Sequence, residues 1–195
     1  MKIDRIIYPI TSLGPGNRIA IWTVGCSKHC KKCSNPELWD ANGKKDVSAD
    51  RILRFVTDIM EKETVDGITF TGGDPFEQPN DLLYLVEKLH PLCKDILIYT
   101  GFTEDSLFKR LTRDEIRTVQ KNIAVLIDGP YIDKKNDGKC CLRGSTNQRL
   151  IFYDDSLHAL YDDYLKKGRT LQNVYVNQRV ISVGIHNKEE KNGEE

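Results

Sequence analysis

The apolar positions of the chain alternate between two spacings, one typical of buried strands and the other of helices with one apolar face. Ser48 is a suitable N-cap, and the apolar residues after it, among them Ile52 and Val56, recur at helical spacing. The pattern then predicts, in chain order, a strand at 68–70, a helix from about 80 to 89, a strand at 96–99, helical segments at about 104–120 and a strand at 123–127. Strands that alternate with helices favour a parallel sheet.

The predicted fold is therefore α/β. It has too few strand–helix units to close an eight-stranded barrel, so we expect a partial (β/α) barrel, a mostly parallel curved sheet with helices outside and one open side. Farther along, 154–167 has a helical pattern and 174–185 alternates like one or two strands. We expect a single domain over residues 1–186 and a disordered, polar tail at 187–195.

Unusual residues follow each predicted strand at its carboxyl end. In a parallel sheet these ends share one edge, and ligands bind at that edge in both barrels and open sheets. We therefore expect one site to collect the residues that follow the strands. They are Cys26, Cys30 and Cys33 after the run at 18–24, then Thr71, Gly72, Gly73 and Asp74, then Thr100 and Gly101, and finally Asp128 and Gly129.

The cysteine spacing Cys26-x-x-x-Cys30-x-x-Cys33 supplies three thiolates and no evident fourth ligand. An iron–sulfur cubane held by three thiolates keeps one iron open for a substrate, as an open position marks a catalytic zinc site. A zinc knuckle, a disulfide with an odd thiol and ordinary buried thiols are the alternatives. A knuckle needs a fourth ligand, and His29 would have to double back onto the metal of its neighbour Cys30.

The second motif is the strand-like stretch at 68–71 that runs into Gly72, Gly73 and Asp74 before a proline. Glycines at a strand end let the backbone approach a ligand closely, and a carboxylate there could hold a ligand ammonium. Taken alone, the motif is more typical of a turn than of a site.

Together, the three-cysteine motif and the strand ending in Gly-Gly-Asp resemble the radical S-adenosylmethionine (SAM) enzymes. Over roughly residues 1–155 the chain is similar to one branch of them, the activating proteins of anaerobic (class III) ribonucleotide reductase. The stretches concerned are Gly25–Trp39, Thr71–Phe76, Tyr99–Phe102, Ile127–Tyr131 and Leu142–Arg149, of which the last, Leu-Arg-Gly-Ser-Thr-Asn-Gln-Arg, is the most specific. Two positions depart from the pattern: Lys32 stands where many radical SAM enzymes have an aromatic residue, and Ser34 where this branch often has one.

The resemblance implies that Cys26, Cys30 and Cys33 bind a [4Fe-4S] cluster whose fourth iron binds SAM. Thr71, Gly72 and Gly73 with Asp74 would hold the SAM ammonium. The chain from Lys32 to Ser34 would lie near the adenine, and Asp128 could serve the ribose or a cation, unless it is simply an exposed loop acid. One electron would cleave SAM, and the resulting 5′-deoxyadenosyl radical would take a hydrogen atom from a glycine of the reductase. A low-potential donor such as flavodoxin would supply the electron.

Composition agrees with a protein substrate. The 195 residues include 29 Lys plus Arg and 29 Asp plus Glu, without the basic tract that binds phosphate backbones, so we expect no nucleic-acid partner. The amino terminus lacks a signal-peptide core and no apolar run is long enough to span a bilayer, so we expect a cytoplasmic protein without membrane contact.

Several alternatives remain open at this point. The chain could activate another glycyl radical enzyme, use the adenosyl radical on a peptide or small molecule, or be a zinc or iron–sulfur module without enzymatic activity. The run at 143–149 could recognise SAM, bind the reductase or form internal hydrogen bonds, and 133–140 is either a solvated linker or a partner-contacting loop or lid. We assign no role to His90, His158 and His186, and interpret Cys93, Cys140 and Cys141 as free thiols.

Overall fold

Six strands form one sheet in the same order in which they occur in the chain, in a computed structural model that describes residues 1–43, 46–176 and 179–186. The expected tail at 187–195 lies outside the described residues. The strands are β1 (Ile3–Ile10), β2 (Arg18–Thr23), β3 (Gly67–Gly72), β4 (Ile96–Tyr99), β5 (Val125–Asp128) and β6 (Arg149–Phe152), with a separate pair β7 (Leu171–Val176) and β8 (Arg179–Gly184). The helices are α1 (Ala49–Met60), α2 (Pro79–Leu89), α3 (Glu104–Phe108), α4 (Arg113–Asn122) and α5 (His158–Leu165).

The sheet is mostly parallel, which confirms the predicted α/β class. Strands β2 to β5 are parallel to one another, whereas β1 pairs antiparallel with β2 at one edge and β6 pairs antiparallel with β5 at the other. Sequence reasoning assigned no strand to β1 or β6. In β1 the charged pair Asp4–Arg5 and Pro9 interrupt the apolar alternation, and β6 is only four residues long.

The helices between the parallel strands lie on one face of the sheet. Every crossover from β2 to β5 leads to the next strand in the same direction, and right-handed crossovers in one direction put their helices on one side. Helix α1 packs against α2, and α2 against α4. Helix α1 begins as predicted, because the Ser48 side chain accepts a hydrogen bond from the Arg51 amide, and Ile52 and Val56 are buried.

Alternate side chains of the parallel strands pack on opposite faces of the sheet, as the two-residue period of a strand requires. One set, including Ile21, Phe70 and Ile98, packs against the helices. The other set, including Trp22 and Ile127, points to the face without crossover helices. There the sheet is covered by later parts of the chain, namely Cys141 and Leu142, Tyr161 and Tyr164 of α5, and Val183 of β8.

A buried ion pair lies at the amino ends of the parallel strands. The fully buried guanidinium of Arg18 donates to the Asp95 carboxylate at 2.6 and 3.1 Å and to the Thr69 hydroxyl at 2.7 Å. The Tyr161 hydroxyl donates to the same carboxylate at 2.6 Å. These side chains join β2, β3, the start of β4 and α5 at the end of the sheet that is remote from the strand carboxyl ends.

The carboxyl-terminal part of the described chain is the antiparallel hairpin β7–β8, which agrees with the alternation predicted at 174–185. Its Gln172 side chain accepts a hydrogen bond from the Thr11 amide at 2.8 Å, and Ser12 donates to the Val183 carbonyl at 2.8 Å. Among the described residues, no helix combines the length and apolar character needed to cross a bilayer.

Candidate functional site

A cavity of about 510 Å³ lies at the carboxyl ends of the parallel strands. Residues after each of these strands line it, for example Cys26 after β2, Gly73 after β3, Gly101 after β4 and Gly129 after β5. The strand order therefore brings together residues that lie about a hundred positions apart in the chain.

The three motif cysteines share one loop at this cavity. Cys26, Cys30 and Cys33 are half-buried, carry free thiols and all line the cavity. The loop turns tightly, since the Cys33 amide donates to the Cys30 carbonyl at 3.0 Å, and both His29 and Lys32 adopt positive φ angles of 44° and 59°. Backbone strain of this kind persists where the surrounding structure holds a functional loop in place.

The surroundings of the three sulfurs suit an iron–sulfur cluster. Asn35 donates its amide to the Cys33 sulfur at 3.4 Å, and backbone amides also face the sulfurs of Cys26 and Cys30. Burial raises the pKa of the Cys26 and Cys30 thiols, and these amides act in the opposite direction. Hydrogen bonds to sulfur are one means by which proteins tune iron–sulfur clusters.

The sulfurs do not converge on a single point. Among the described residues, no three His, Cys, Asp or Glu side chains are grouped around one ion position. A cubane does not need such convergence, because each thiolate binds a different iron, whereas a structural zinc ion needs four donors at about 2.0–2.3 Å. His29, the nearest candidate for a fourth zinc ligand, stacks its ring on Trp39 with 4.9 Å between centroids. Three cysteine sulfurs at one cavity are the donors that an iron–sulfur cluster with one open iron would use.

Two glycines hold the second motif against the cysteine loop. Gly72 has φ +105°, and a Cβ there would lie 2.5 Å from the Thr23 carbonyl oxygen. A Cβ on Gly73 would overlap the Gly25 carbonyl oxygen. The amide of Gly73 donates to Thr23 and the amide of Asp74 to Gly25, both at 2.8 Å. Thr71, Gly72 and Gly73 line the cavity, so their backbone is accessible to a ligand.

Replacing Gly73 with alanine is expected to displace the cysteine loop, since the new methyl group would collide with backbone rather than with a flexible side chain. A shift of about 1 Å near a reacting centre can cost about 10²-fold in rate, so we expect a loss of this order in the activity that the resemblance implies, glycyl radical formation on a reductase, measured by electron paramagnetic resonance. Gly168→Ala is the matched control, because Gly168 has φ +69° but open space around it. Equal activities of the two variants would contradict the expectation.

Asp74 lies behind the cavity lining instead of in it. Its side chain is fully buried, and its carboxylate accepts hydrogen bonds from the Thr100 hydroxyl at 2.9 Å and from the amides of Gly101 and Phe76 at 2.9 and 3.1 Å. It thus orients Thr100 and Gly101, which do line the cavity. A direct contact of Asp74 with a ligand ammonium stays a prediction.

Burial raises the pKa of Asp74 to about 6, although its hydrogen bonds favour the ionised form. Between the unfolded pKa of 3.8 and about 6, the folded chain keeps a proton that the unfolded chain has lost, so this group's contribution to stability falls as pH rises. We expect the difference in unfolding free energy between wild type and Asp74→Asn to fall by roughly 2 kcal/mol from pH 4.5 to 7.5.

Urea unfolding of the cluster-free protein at both pH values measures this difference. The control is Asp114→Asn, which removes a carboxylate whose side chain is 90% exposed. A difference for Asp74→Asn that is constant or that rises with pH would contradict the raised pKa.

Asp128 is buried, so its interpretation as an exposed loop acid is wrong. It ends β5, is 1% exposed, and forms a two-bonded ion pair with Arg149, its partner across the β5–β6 ladder. It also accepts a hydrogen bond from the Glu104 amide at 2.8 Å. It is absent from the cavity lining, and a role toward a ribose or a cation stays a prediction.

The run at 143–149 forms internal hydrogen bonds, which was one of the three roles left open for it. The Gln148 side chain accepts from the amides of Gly144 and Ser145 at 2.8 and 3.2 Å and donates to the Gly129 carbonyl at 3.0 Å. Asn147 donates to the Pro130 carbonyl at 2.8 Å. These bonds shape the loop after β5, and Gly144 and Gln148 themselves line the cavity.

The loop at 133–140 is hydrogen-bonded to the run at 143–149. It begins with a 3₁₀ turn at Asp133–Lys135, and the Lys135 carbonyl accepts from the Thr146 amide at 2.9 Å. Asp133 accepts from the Tyr131 hydroxyl at 3.1 Å and lies 3.8 Å from the ammonium of Lys32. Lys32 and Ser34, both predicted to be near the adenine, line the cavity.

Several cavity residues were missed by sequence reasoning. Lys28 lines the cavity and places its ammonium 3.2 Å from the centre of the Phe102 ring, while the neighbouring Ser27 is bonded to Glu77. Tyr99 and Tyr131 also line the cavity. The sequence did offer a signal for these two tyrosines, because they lie in the stretches 99–102 and 127–131 that carry the resemblance. The resemblance gave their side chains no role.

Comparisons with known proteins agree with this geometry. The family described as "4Fe-4S single cluster domain" matches residues 12–151. The chain is 31% identical over 147 residues to an anaerobic ribonucleoside-triphosphate reductase-activating protein of Salmonella typhi, covering 72% of this chain and 92% of that one. Proteins of the same name match in Escherichia coli K12, at 32% over 149 residues (72% and 92%), and in Enterobacteria phage T4, at 33% over 156 residues (77% and 93%).

Proposed function

The chain belongs to the family of anaerobic ribonucleoside-triphosphate reductase-activating proteins, and from this premise we propose that it generates a glycyl radical on such a reductase by reductive cleavage of SAM at a [4Fe-4S] cluster. The main support is the meeting of three half-buried cysteines with the Gly72–Gly73 backbone at one cavity. The sheet winds in one direction and ends in two unclosed edges, which supports a partial (β/α) barrel of the radical SAM type.

Cys26, Cys30 and Cys33 are the proposed cluster ligands. Three protein ligands would leave one iron of the cluster open to SAM. A cluster held by these three cysteines would supply the one-electron chemistry for reductive cleavage of SAM, whose products would be methionine and the adenosyl radical that takes a hydrogen atom from a glycine. The backbone amides that face the three sulfurs would stabilise the thiolates and limit the movement of the loop.

The remaining cavity residues would position SAM. The Thr71, Gly72 and Gly73 backbone can approach the methionine end closely, because the two glycines have no side chain. Lys32 and Ser34 would contact the adenine end. Asp74 would position SAM by orienting Thr100 and Gly101. Asp128 would hold the loop between β5 and β6 in place through its ion pair with Arg149. A direct contact of either carboxylate with SAM is the alternative.

The proposed setting follows from the chemistry. Thiolates that bind a cluster need a reducing compartment, and all six cysteines are free, so we place the protein in the cytoplasm. Lys31 and Lys32 are exposed on the cysteine loop and would attract an acidic, low-potential electron donor such as flavodoxin.

Mixing anaerobically reconstituted protein, SAM, a reductant and the reductase tests the proposal. We expect a glycyl radical signal in electron paramagnetic resonance only when all four are present, and about four iron atoms per chain. A formate-lyase type of glycyl radical enzyme in place of the reductase tests the rival activase function. One zinc per chain, or a cluster whose spectrum SAM does not change, would contradict the proposal.

A further inference from the structure

The hairpin β7–β8 lies beyond the part of the chain that the family domain matches, which ends at residue 151. It is nevertheless fixed to the sheet. Its inner face, including Val183, packs against Ile10, Leu13 and Trp22, and the Gln172 side chain donates to the Pro9 carbonyl at 2.9 Å. The hairpin is therefore a defined part of this fold and holds a fixed position relative to the cavity.

The end of the hairpin forms part of the cavity wall. Gly184, Ile185 and His186 line the cavity. Arg169 holds this segment in place, because its guanidinium donates to the His186 carbonyl at 2.9 Å and to the Cys140 and Arg143 carbonyls, both at 3.1 Å. One side chain thus joins the hairpin to the loop that precedes β6.

The outer face of the hairpin carries three large apolar side chains that are exposed among the described residues, with the exposed polar pair Asn173 and Ser182 between them. Leu171, Tyr175 and Val180 are 52%, 82% and 56% exposed, and Tyr175 and Val180 are opposite each other in the ladder. Arg179 is the only charged residue in the sequence from 171 to 184, whereas 30% of the whole chain is charged. A face with exposed aromatic and aliphatic side chains and little charge has the composition of the centre of a protein interface.

We propose that this outer face, with the side chains of Leu171, Tyr175 and Val180, is a docking surface for the reductase subunit whose glycine enters the cavity. The inference rests on the proposed function. A protein that delivers a backbone glycine into the cavity must cover its rim, and residues 184–186 of the same hairpin are part of that rim. A stable protein interface covers about 800 Å² per partner, so it extends beyond the rim onto adjacent surfaces.

A second copy of the chain is the competing occupant. Such a copy would lie next to the cavity and obstruct the approach of a protein substrate, which is why continuity with the cavity rim favours the reductase. The low charge of the hairpin agrees with this choice, since charged residues are depleted at the centre of protein interfaces and tyrosine is enriched there.

The test is a variant that carries Leu171→Ser, Tyr175→Ser and Val180→Ser together, with Tyr175→Ser alone as a milder version. We expect the dissociation constant for the reductase, measured anaerobically by calorimetry, to rise at least about 30-fold for the triple variant. Glycyl radical formation should fall at low reductase concentration and recover at high concentration. Because the Tyr175 side chain is 82% exposed, Tyr175→Ser should leave the thermal unfolding midpoint unchanged, so a loss of affinity in this variant reports on binding and not on folding.

The matched control is Phe55→Ser with Leu92→Ser, which removes two side chains that are 50% and 60% exposed at positions outside the hairpin. Its affinity for the reductase should equal that of wild type. An unchanged affinity of the triple variant for the reductase would overturn the inference. So would the finding that wild type is a dimer and the triple variant a monomer, while both bind the reductase equally well. Failure of the wild-type protein itself to form a glycyl radical would instead reject the proposed function.

Discussion

Alanine at Cys26, Cys30 or Cys33 is expected to abolish glycyl radical formation while leaving the chain folded. None of the three side chains belongs to the hydrophobic core, and each is half-buried at the cavity, so their removal costs little packing. Removing a residue that only hydrogen-bonds to a metal ligand lowers metal affinity or activity about 10–100-fold. Loss of a ligand itself should therefore lower the radical yield by more than about 100-fold. Iron analysis, the cluster's visible absorption and electron paramagnetic resonance measure the three effects.

Alanine at Cys93, Cys140 or Cys141 is the control for this expectation. Cys93 and Cys141 are buried in the core, and none of the three lines the cavity. These variants should keep the cluster and form the radical, although Cys93→Ala and Cys141→Ala should lose some stability from the vacated core volume. Loss of iron from any of them, or retention of a SAM-responsive cluster by Cys30→Ala, would contradict the proposed ligand set.

Methionine in place of Arg18 is expected to lower the free energy of unfolding by about 3–5 kcal/mol, because it leaves the Asp95 carboxylate buried without its cation. Arg18 is fully buried and Asp95 is 6% exposed, so water cannot replace the lost interaction. Urea unfolding followed by circular dichroism measures the change. The rate of SAM cleavage by the folded fraction should change little, because the ion pair lies at the end of the sheet remote from the cavity.

A second substitution tests whether the unpaired Asp95 carboxylate causes the loss of stability. Adding Asp95→Asn to Arg18→Met removes that charge, and the double variant should recover part of the lost stability. Arg117→Met is the surface control, because the Arg117 side chain is 77% exposed and its ion pair with the exposed Asp114 is worth little, so no resolvable change is expected. If Arg18→Met were as stable as Arg117→Met, the expectation that the buried Asp95 needs Arg18 for stability would be wrong.

The helices and parallel strands were predictable from sequence because their signals are local. Helix α1 begins after Ser48 as predicted, and β4 has the predicted bounds 96–99. The edge strands β1 and β6 escaped prediction because only one neighbour and partial burial determine them, so their sequences show no regular alternation.

The site was predictable as a location, but not in the contacts of its acids. Strand ends identified the edge at which the cysteines and glycines gather. Which partner a carboxylate meets depends on pairs distant in sequence: Asp74 bonds to Thr100, 26 residues later, and Asp128 to Arg149, 21 residues later. Such pairs leave no periodic signal, and both acids therefore looked like ligand contacts.

The one-sided placement of the crossover helices has a consequence for how such a protein can diversify. Because α1, α2 and α4 share one face, the opposite, cavity-bearing face is finished by segments that come late in the chain, including α5 and the hairpin. The hairpin follows all six strands of the sheet and the cysteine loop in the chain, so its exposed face can change without altering the order of the strands. Recognition of a new protein target can thus evolve at the end of the polypeptide while the inherited radical chemistry stays intact.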